Sequence, residues 1–263
     1  RFPPSAAGME PHTDFMFCCG AITEVLKFGP RQLHPEHKRV FLLIPGELLL
    51  KYKKIKIKKD DVFGLNGQIE HKLAFIREHI PKGSSLVLVG HSIGCYIILE
   101  MMRRNPELKV LKAVMLFPTI ERMAESPQGR RMTPLLCQMR YLAYLPVFLL
   151  SLLPDILKAA LIKLNQLFIF FFLANSMYLG GQEMRMVLER DNTTIEKNLD
   201  KLIFYYGATD HWCPVKYFND IRRDFPHGDF RLCEKGFRHA FVLDVGREVA
   251  NMVAEWIYSS LRT

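Results

Sequence analysis

Residues 86–95 read Leu-Val-Leu-Val-Gly-His-Ser-Ile-Gly-Cys. Four apolar residues run into Gly90-His-Ser-Ile-Gly94, and a helical pattern from Ile93 to Arg104 follows until Asn105-Pro106 stops it. A pattern G-x-S-x-G alone is weak, since a chain this long yields one by chance roughly one time in ten. With a strand before it and a helix after it, the pattern describes a sharp turn that few folds use. Side chains two positions either side of the serine would collide, so glycines stand there. Ser92 Oγ is then exposed at the strand's C-terminal end, and the N–H groups of the following helix favour developing negative charge.

The surrounding pattern sets the fold class. Val40-Phe-Leu-Leu-Ile44 is an apolar run closed by Pro45-Gly46, which predicts a buried parallel strand. Ile69, Leu73, Ile76 and Ile80 fall at helical spacing before Pro81 and Gly83. Further strands are expected at 112–117, 202–206 and 229–233, and further helices from Gln182, near 215–224 and from Gly246. Residues 15–28 alternate weakly, as early strands do. Strands and helices that alternate in this way predict a doubly wound, mostly parallel α/β sheet, one domain over residues 12–263.

Residues 118–181 break the alternation. They hold two apolar runs, Tyr141–Pro154 and one centred on Leu167–Ala174, separated by Lys158 and Lys163. This block reads as an insertion between strands. Each run suits a core helix, a lid over a pocket or a segment dipping into a lipid monolayer. With Pro146 and Pro154, the first is too short for a comfortable bilayer span. Gly180-Gly181 reads as a helix entry.

A serine hydroxyl needs a base to take its proton. In folds with this turn the partners follow in the order serine, acid, histidine. Asp210 lies in the loop after 202–206, and His239 in the loop after 229–233. Each has a structural alternative: Asp210 could cap the helix near Val215, and His239 could be a surface residue. His91 reads as a packing or hydrogen-bonding neighbour. His211 is a rival base whose reach is short, because it precedes the last strand. His239-Ala-Phe-Val-Leu-Asp244 also fits a loose H-x4-D acyltransferase pattern.

The net charge is +9, with much of the excess in Lys51-Tyr-Lys-Lys-Ile-Lys-Ile-Lys-Lys59. No nucleic-acid module surrounds that stretch, which reads as a solvated loop or edge. No histidine or cysteine spacing suits a metal, and no cofactor is expected. The six cysteines show no CxxC pairing, and the N-terminus has no apolar signal core, with Met9 a possible natural start. Both features suit a reducing compartment.

Taken together, Val62–Phe75, Leu86–Gly94, Leu116–Met123, Ala174–Glu183 and Phe204–Pro214 resemble the lipid droplet-associated hydrolase family of the α/β-hydrolase fold. The resemblance spreads over most of residues 12–260. It implies a serine hydrolase of lipid esters, among them cholesteryl esters and other neutral lipids, on lipid droplets and the endoplasmic reticulum. The family's triad falls on Ser92, Asp210 and His239. Its oxyanion donors are expected at the backbone of Ile93 and of the Pro-Gly loop, here Gly46. In one respect the chain departs from the family. The Pro-Gly-Asn-Pro-Gly segment survives only as Pro45-Gly46, and a helix-strand unit after it is missing. The alternative is therefore a catalytically weak protein that binds lipid droplets.

Overall fold

The computed structural model describes residues 11–29, 39–45, 64–138, 145, 148–149, 152–154 and 166–262. Its centre is a five-stranded parallel sheet in the order β3-β4-β5-β6-β7, with β3 Arg39–Ile44, β4 Ser85–His91, β5 Val110–Leu116, β6 Leu202–Gly207 and β7 Asp229–Cys233. A separate antiparallel hairpin precedes it, β1 His12–Cys18 and β2 Ala21–Lys27. Cys19 at φ 50° and Gly20 at φ 78° form its two-residue turn. Left-handed values at both positions match the twist of the strands they join.

The helices are α1 Leu65–His79, α2 Ile93–Arg104, α3 Pro127–Cys137, α4 Gln166–Met186, α5 Asn192–Lys197, α6 Val215–Asp224 and α7 Gly246–Ser260. They cover both faces of the sheet. Successive residues of a strand point to opposite sides, and on β6 Tyr205 meets Trp256 of α7 while Tyr206 meets Phe218 of α6. All six residues of β6 are buried, as expected for a central strand. The core joins β4, β5 and β6 to α1, α2, α6 and α7 through Ile69, Leu88, Ile98, Val114, Phe204, Ile221 and Val253. Burying each side chain of this size contributes about 1.5–3 kcal/mol.

Three expectations need correction. The 40–44 run forms a strand, but not a buried one. β3 is the edge of the sheet among the described residues, with Phe41 54% and Leu43 71% exposed. The helix expected from Gln182 begins at Gln166, so Gly180 and Gly181 lie inside α4 rather than at its entry. There they let α3 come close: a Cβ on Gly180 would stand 3.1 Å from Leu136 Cδ1, and Cys137 Sγ is 3.7 Å from Gly181 O. The short α5, capped by Asp191 accepting from Thr194 N–H at 3.0 Å, was not foreseen.

The chain between β5 and β6 holds α3, α4 and α5. Of the first apolar run, residues 145, 148, 149 and 152–154 are described; Leu145, Phe148, Leu149 and Leu152 are 53–66% exposed, and Leu153 is half-buried. α4 is tied down by Gln182, whose side-chain oxygen accepts the first N–H of α1 at 2.7 Å. Among the described residues, no helix is long and apolar enough to cross a membrane. The Lys51–Lys59 stretch and Gly46 lie outside the described residues.

Candidate active site

Ser92 sits between the last residue of β4 and the first of α2, at φ 56° and ψ −123°. A non-glycine residue holds such a left-handed value only where its surroundings enforce it. Here Ser92 N–H donates to Leu116 O at 3.0 Å, and Ser92 O accepts from Cys95 N–H at 3.0 Å. The flanking glycines are sterically required. A Cβ on Gly94 would stand 2.2 Å from Ile44 O, and one on Gly90 would stand 2.8 Å from Ile98 Cδ1. Ile93 opens α2 directly after Ser92, so its N–H has no acceptor within the helix.

Two loops at the same end of the sheet bring the partners. His239, in the loop after β7, places Nε2 2.8 Å from Ser92 Oγ and Nδ1 2.6 Å from Asp210 Oδ2. Asp210, in the loop after β6, has a fully buried side chain. Its Oδ1 accepts Trp212 N–H at 2.7 Å and Cys213 N–H at 3.3 Å, and its Oδ2 also accepts the Cys213 thiol at 3.2 Å. Burial alone would raise the Asp210 pKa. The hydrogen bond and charge of His239, with Trp212 N–H and the Cys213 thiol, outweigh it and hold the carboxyl below its usual value. Asp210 does not cap α6, because the residue that precedes that helix is Pro214.

Aromatic rings hold the histidine in place. Phe117, itself at φ 48°, stacks on Phe241 at 5.2 Å and meets the His239 ring edge-on at 6.1 Å. His91 turns away from Ser92, and its Nε2 lies 2.8 Å from the backbone oxygen of His239. Burial, and then the neighbouring His239, push the His91 pKa down, so it stays neutral and donates to that carbonyl. His211 is exposed and touches none of the three residues through the hydrogen bonds described; its backbone oxygen accepts from Gln128. Asp244 pairs with Arg238, so the carboxylate that meets His239 is Asp210 and not the one of the H-x4-D pattern.

Sequence reasoning missed Cys213, Trp212 and Phe117. The signal for Cys213 was its position three residues after the acid, where a turn folds a side chain back onto the carboxylate. Asp210, Cys213 and His239 also have the donor types of a metal cluster, with atoms within 4.8 Å of one another. Their hydrogen bonds already satisfy one another. The arrangement as a whole suits a nucleophile, a base and an orienting carboxylate.

Residues 44–242 match the profile of the family described as lipid-droplet associated hydrolase. The chain is 45% identical to the lipid droplet-associated hydrolase of Gallus gallus and 42% identical to that of Homo sapiens, each time over 95% of this chain and 96% of the relative. These alignments run over 310 and 311 positions, more than the 263 residues present here, so the relatives carry residues without a counterpart in this chain. Among solved structures, a thermophilic esterase matches at TM-score 0.54 and 14% identity, covering 95% of this chain and 99% of its own. A membrane phospholipase A from a bacterium matches at 0.59 and 16%, covering 98% and 88%. These distant likenesses establish the α/β-hydrolase fold, and the two relatives together with the profile establish that the chain belongs to the lipid-droplet associated hydrolase family.

Proposed function

We propose that the chain is a serine hydrolase that cleaves lipid esters at the surface of lipid droplets. The continuous line of hydrogen bonds from Ser92 Oγ through His239 to Asp210 carries this reading. Ser92 Oγ attacks the ester carbonyl while His239 Nε2 takes its proton. Ile93 N–H stabilises the oxyanion, and His239 returns the proton to the departing alcohol. Water then releases the acid by the same steps in reverse order. Asp210 holds the imidazole in the tautomer that leaves Nε2 free to accept. The names of the relatives support the droplet surface, and the four exposed apolar residues of 145–152 supply a face that suits it. The endoplasmic reticulum expected from the resemblance belongs to the same proposal, since both surfaces are phospholipid layers. Cholesteryl esters and other neutral lipids are the substrates this location offers.

A second reading, a droplet-binding protein with weak catalysis, is favoured by one observation. β3 ends at the loop that supplies the second oxyanion donor in this fold, and among the described residues it is the edge of the sheet. Loss of one such donor costs about 10²–10³ in rate. Labelling with a fluorophosphonate separates the readings. The wild type should label and hydrolyse a fluorogenic long-chain ester, and Ser92→Ala should do neither while keeping its circular dichroism spectrum. Labelling without turnover favours the second reading, and labelling of Ser92→Ala removes the nucleophile assignment.

A further inference from the structure

The geometry points to Cys213 as a positioning residue of the catalytic site, its thiol donating to the same Asp210 oxygen that orients His239. This inference rests on the Ser92–His239–Asp210 reading above. Asp210 Oδ1 is already occupied by two backbone N–H groups, from Trp212 and Cys213. That leaves Oδ2 with two side-chain donors, His239 Nδ1 at 2.6 Å and Cys213 Sγ at 3.2 Å. Without the thiol, the imidazole is the one remaining side-chain donor to Oδ2 among the described hydrogen bonds, and the backbone bonds to Oδ1 alone fix the carboxylate plane.

Cys213 is fully buried. Burial, and then the adjacent Asp210 carboxylate, push its pKa well above the ordinary value. The sulfur therefore keeps its proton and acts as a donor, not as a second anion or a nucleophile. The other titratable groups facing this pair are His91 on β4, Cys95 on α2 and Tyr206 on β6. Both cysteines and the tyrosine are held neutral by burial, and His91 is held neutral in the same way.

The direction of the effect follows. A donor shared with Oδ2 draws off part of the charge that would otherwise face Nδ1. Removing it concentrates that charge on the imidazole, favours the protonated ring and demands a higher pH for the free base. A thiol is a weak donor, so the shift is modest.

The test uses the full chain, with Cys213→Ala and Cys213→Ser, in a pH–rate profile with a fluorogenic ester. Active sites are counted by fluorophosphonate so that kcat refers to folded enzyme. In the Ala variant the acid limb of kcat should rise by about half a pH unit, since a fraction of a hydrogen bond converts to a fraction of a unit. kcat on the plateau should fall about threefold to tenfold with KM unchanged. The Ser variant keeps a donor and should return both toward the wild type. Proton NMR of the His239–Asp210 bridging proton should move downfield in the Ala variant and back in the Ser variant.

If the Ala and Ser variants match the wild type in acid limb and kcat, or shift equally, the contact is packing and the proposal fails. If the Ala variant folds too poorly for kinetics, the volume-filling Cys213→Val, which also lacks a donor, takes its place in the NMR comparison: a bridging proton displaced downfield of the wild type supports the shared donor, and an unmoved one refutes it. Ser92→Ala serves as the separate control. If it retains turnover, the triad reading itself fails, whatever the Cys213 variants do.

Discussion

At the site, conformational strain and steric exclusion act together on one short turn. Ser92 holds φ 56° in a tight turn where Gly90 and Gly94 leave room for the neighbouring atoms. Gly94→Ala puts a methyl 2.2 Å from a backbone oxygen of β3 rather than from a flexible side chain. The strand must shift, so the variant should lose about 2–4 kcal/mol in chemical denaturation and its fluorophosphonate labelling with it. Asp210→Asn keeps the shape but turns a charged acceptor into an amide that can present N–H to His239. Its kcat should fall on the order of 10³–10⁴ with little change in melting temperature, and an active Asn variant would move the acid to another residue. Because Asp210 is held below its usual carboxylate pKa, it stays ionised at every pH where the base works. Protonation of the acid therefore does not set the acid limb. Of these residues, Ser92, Asp210 and His239 were legible because each falls at a strand end in a fixed order. Cys213 left only a local signal, its place three residues after the acid. Trp212 and Phe117 left none, because their roles come from a folded-back turn and from ring packing between segments far apart in sequence.

Among the elements, the N-terminal hairpin stands apart. It pairs with no other strand among the described residues and rests on α1 through Met16, Cys18 and Val25 against Ala74 and Phe75. Its polar latch is His71 of α1, whose Nε2 lies 2.7 Å from Thr23 Oγ1, while His79 Nε2 meets Phe17 O at 3.0 Å. Burial first, and then the charge of Lys72, lower the His71 pKa to about 4; Glu78 opposes this and His79 adds to it. Nδ1 of this ring is buried with no partner among the described residues, so a second proton there would be a donor without an acceptor. The folded state thus binds the proton less well than the unfolded chain. Stability is fully present above the unfolded value near 6.5 and is lost as pH falls toward 4, by up to about 3 kcal/mol. Hydrogen exchange should show the β1–β2 amides opening between pH 6.5 and 4 ahead of β4 and β5. In His71→Gln, which cannot charge, that pH dependence should vanish. A hairpin that stays protected at pH 4.5 in the wild type would show that the latch is not what holds it.

The same scale shows what periodicity can and cannot reveal. β4 to β7, α1, α2, α6 and α7 were legible because each carries an apolar period bounded by Gly or Pro. The edge position of β3 was hidden. Its sequence Arg-Val-Phe-Leu-Leu-Ile is as apolar as a buried strand, and what distinguishes the two is the lack of a second neighbouring strand among the described residues. The start of α4 was hidden too, because an apolar run with no polar face has no helical period to read.

For the whole molecule, the question is what its bare apolar surface meets. Phe41 and Leu43 are exposed on β3, the edge strand among the described residues, and an unpaired apolar edge is a template for association. Phe41→Thr with Leu43→Thr should lower concentration-dependent light scattering while leaving fluorophosphonate labelling intact. Unchanged scattering would mean that other surfaces drive association. The second exposed apolar group among the described residues is Leu145, Phe148, Leu149 and Leu152. A phospholipid monolayer gives these side chains an apolar destination without requiring a span, which agrees with the lack of a membrane-length helix among the described residues. In sequence, Arg140, Lys158 and Lys163 flank the run, and such long basic side chains pair favourably with lipid phosphates. Even at half of the about 1.5–3 kcal/mol available per buried side chain, four of them supply on the order of 3–6 kcal/mol, or 10²–10⁴ in partitioning. Replacing all four with Ser should therefore abolish flotation of the protein with phospholipid-coated triolein droplets. Labelling of Ser92 in detergent should persist, because the substitutions lie on exposed positions outside the triad. Ser92→Ala should float like the wild type, since binding and chemistry use different residues. If the four-Ser protein still floats, the anchor lies elsewhere on the surface. The exposed Phe15, Phe17, Leu26 and Phe28 of the hairpin are then the next group to substitute.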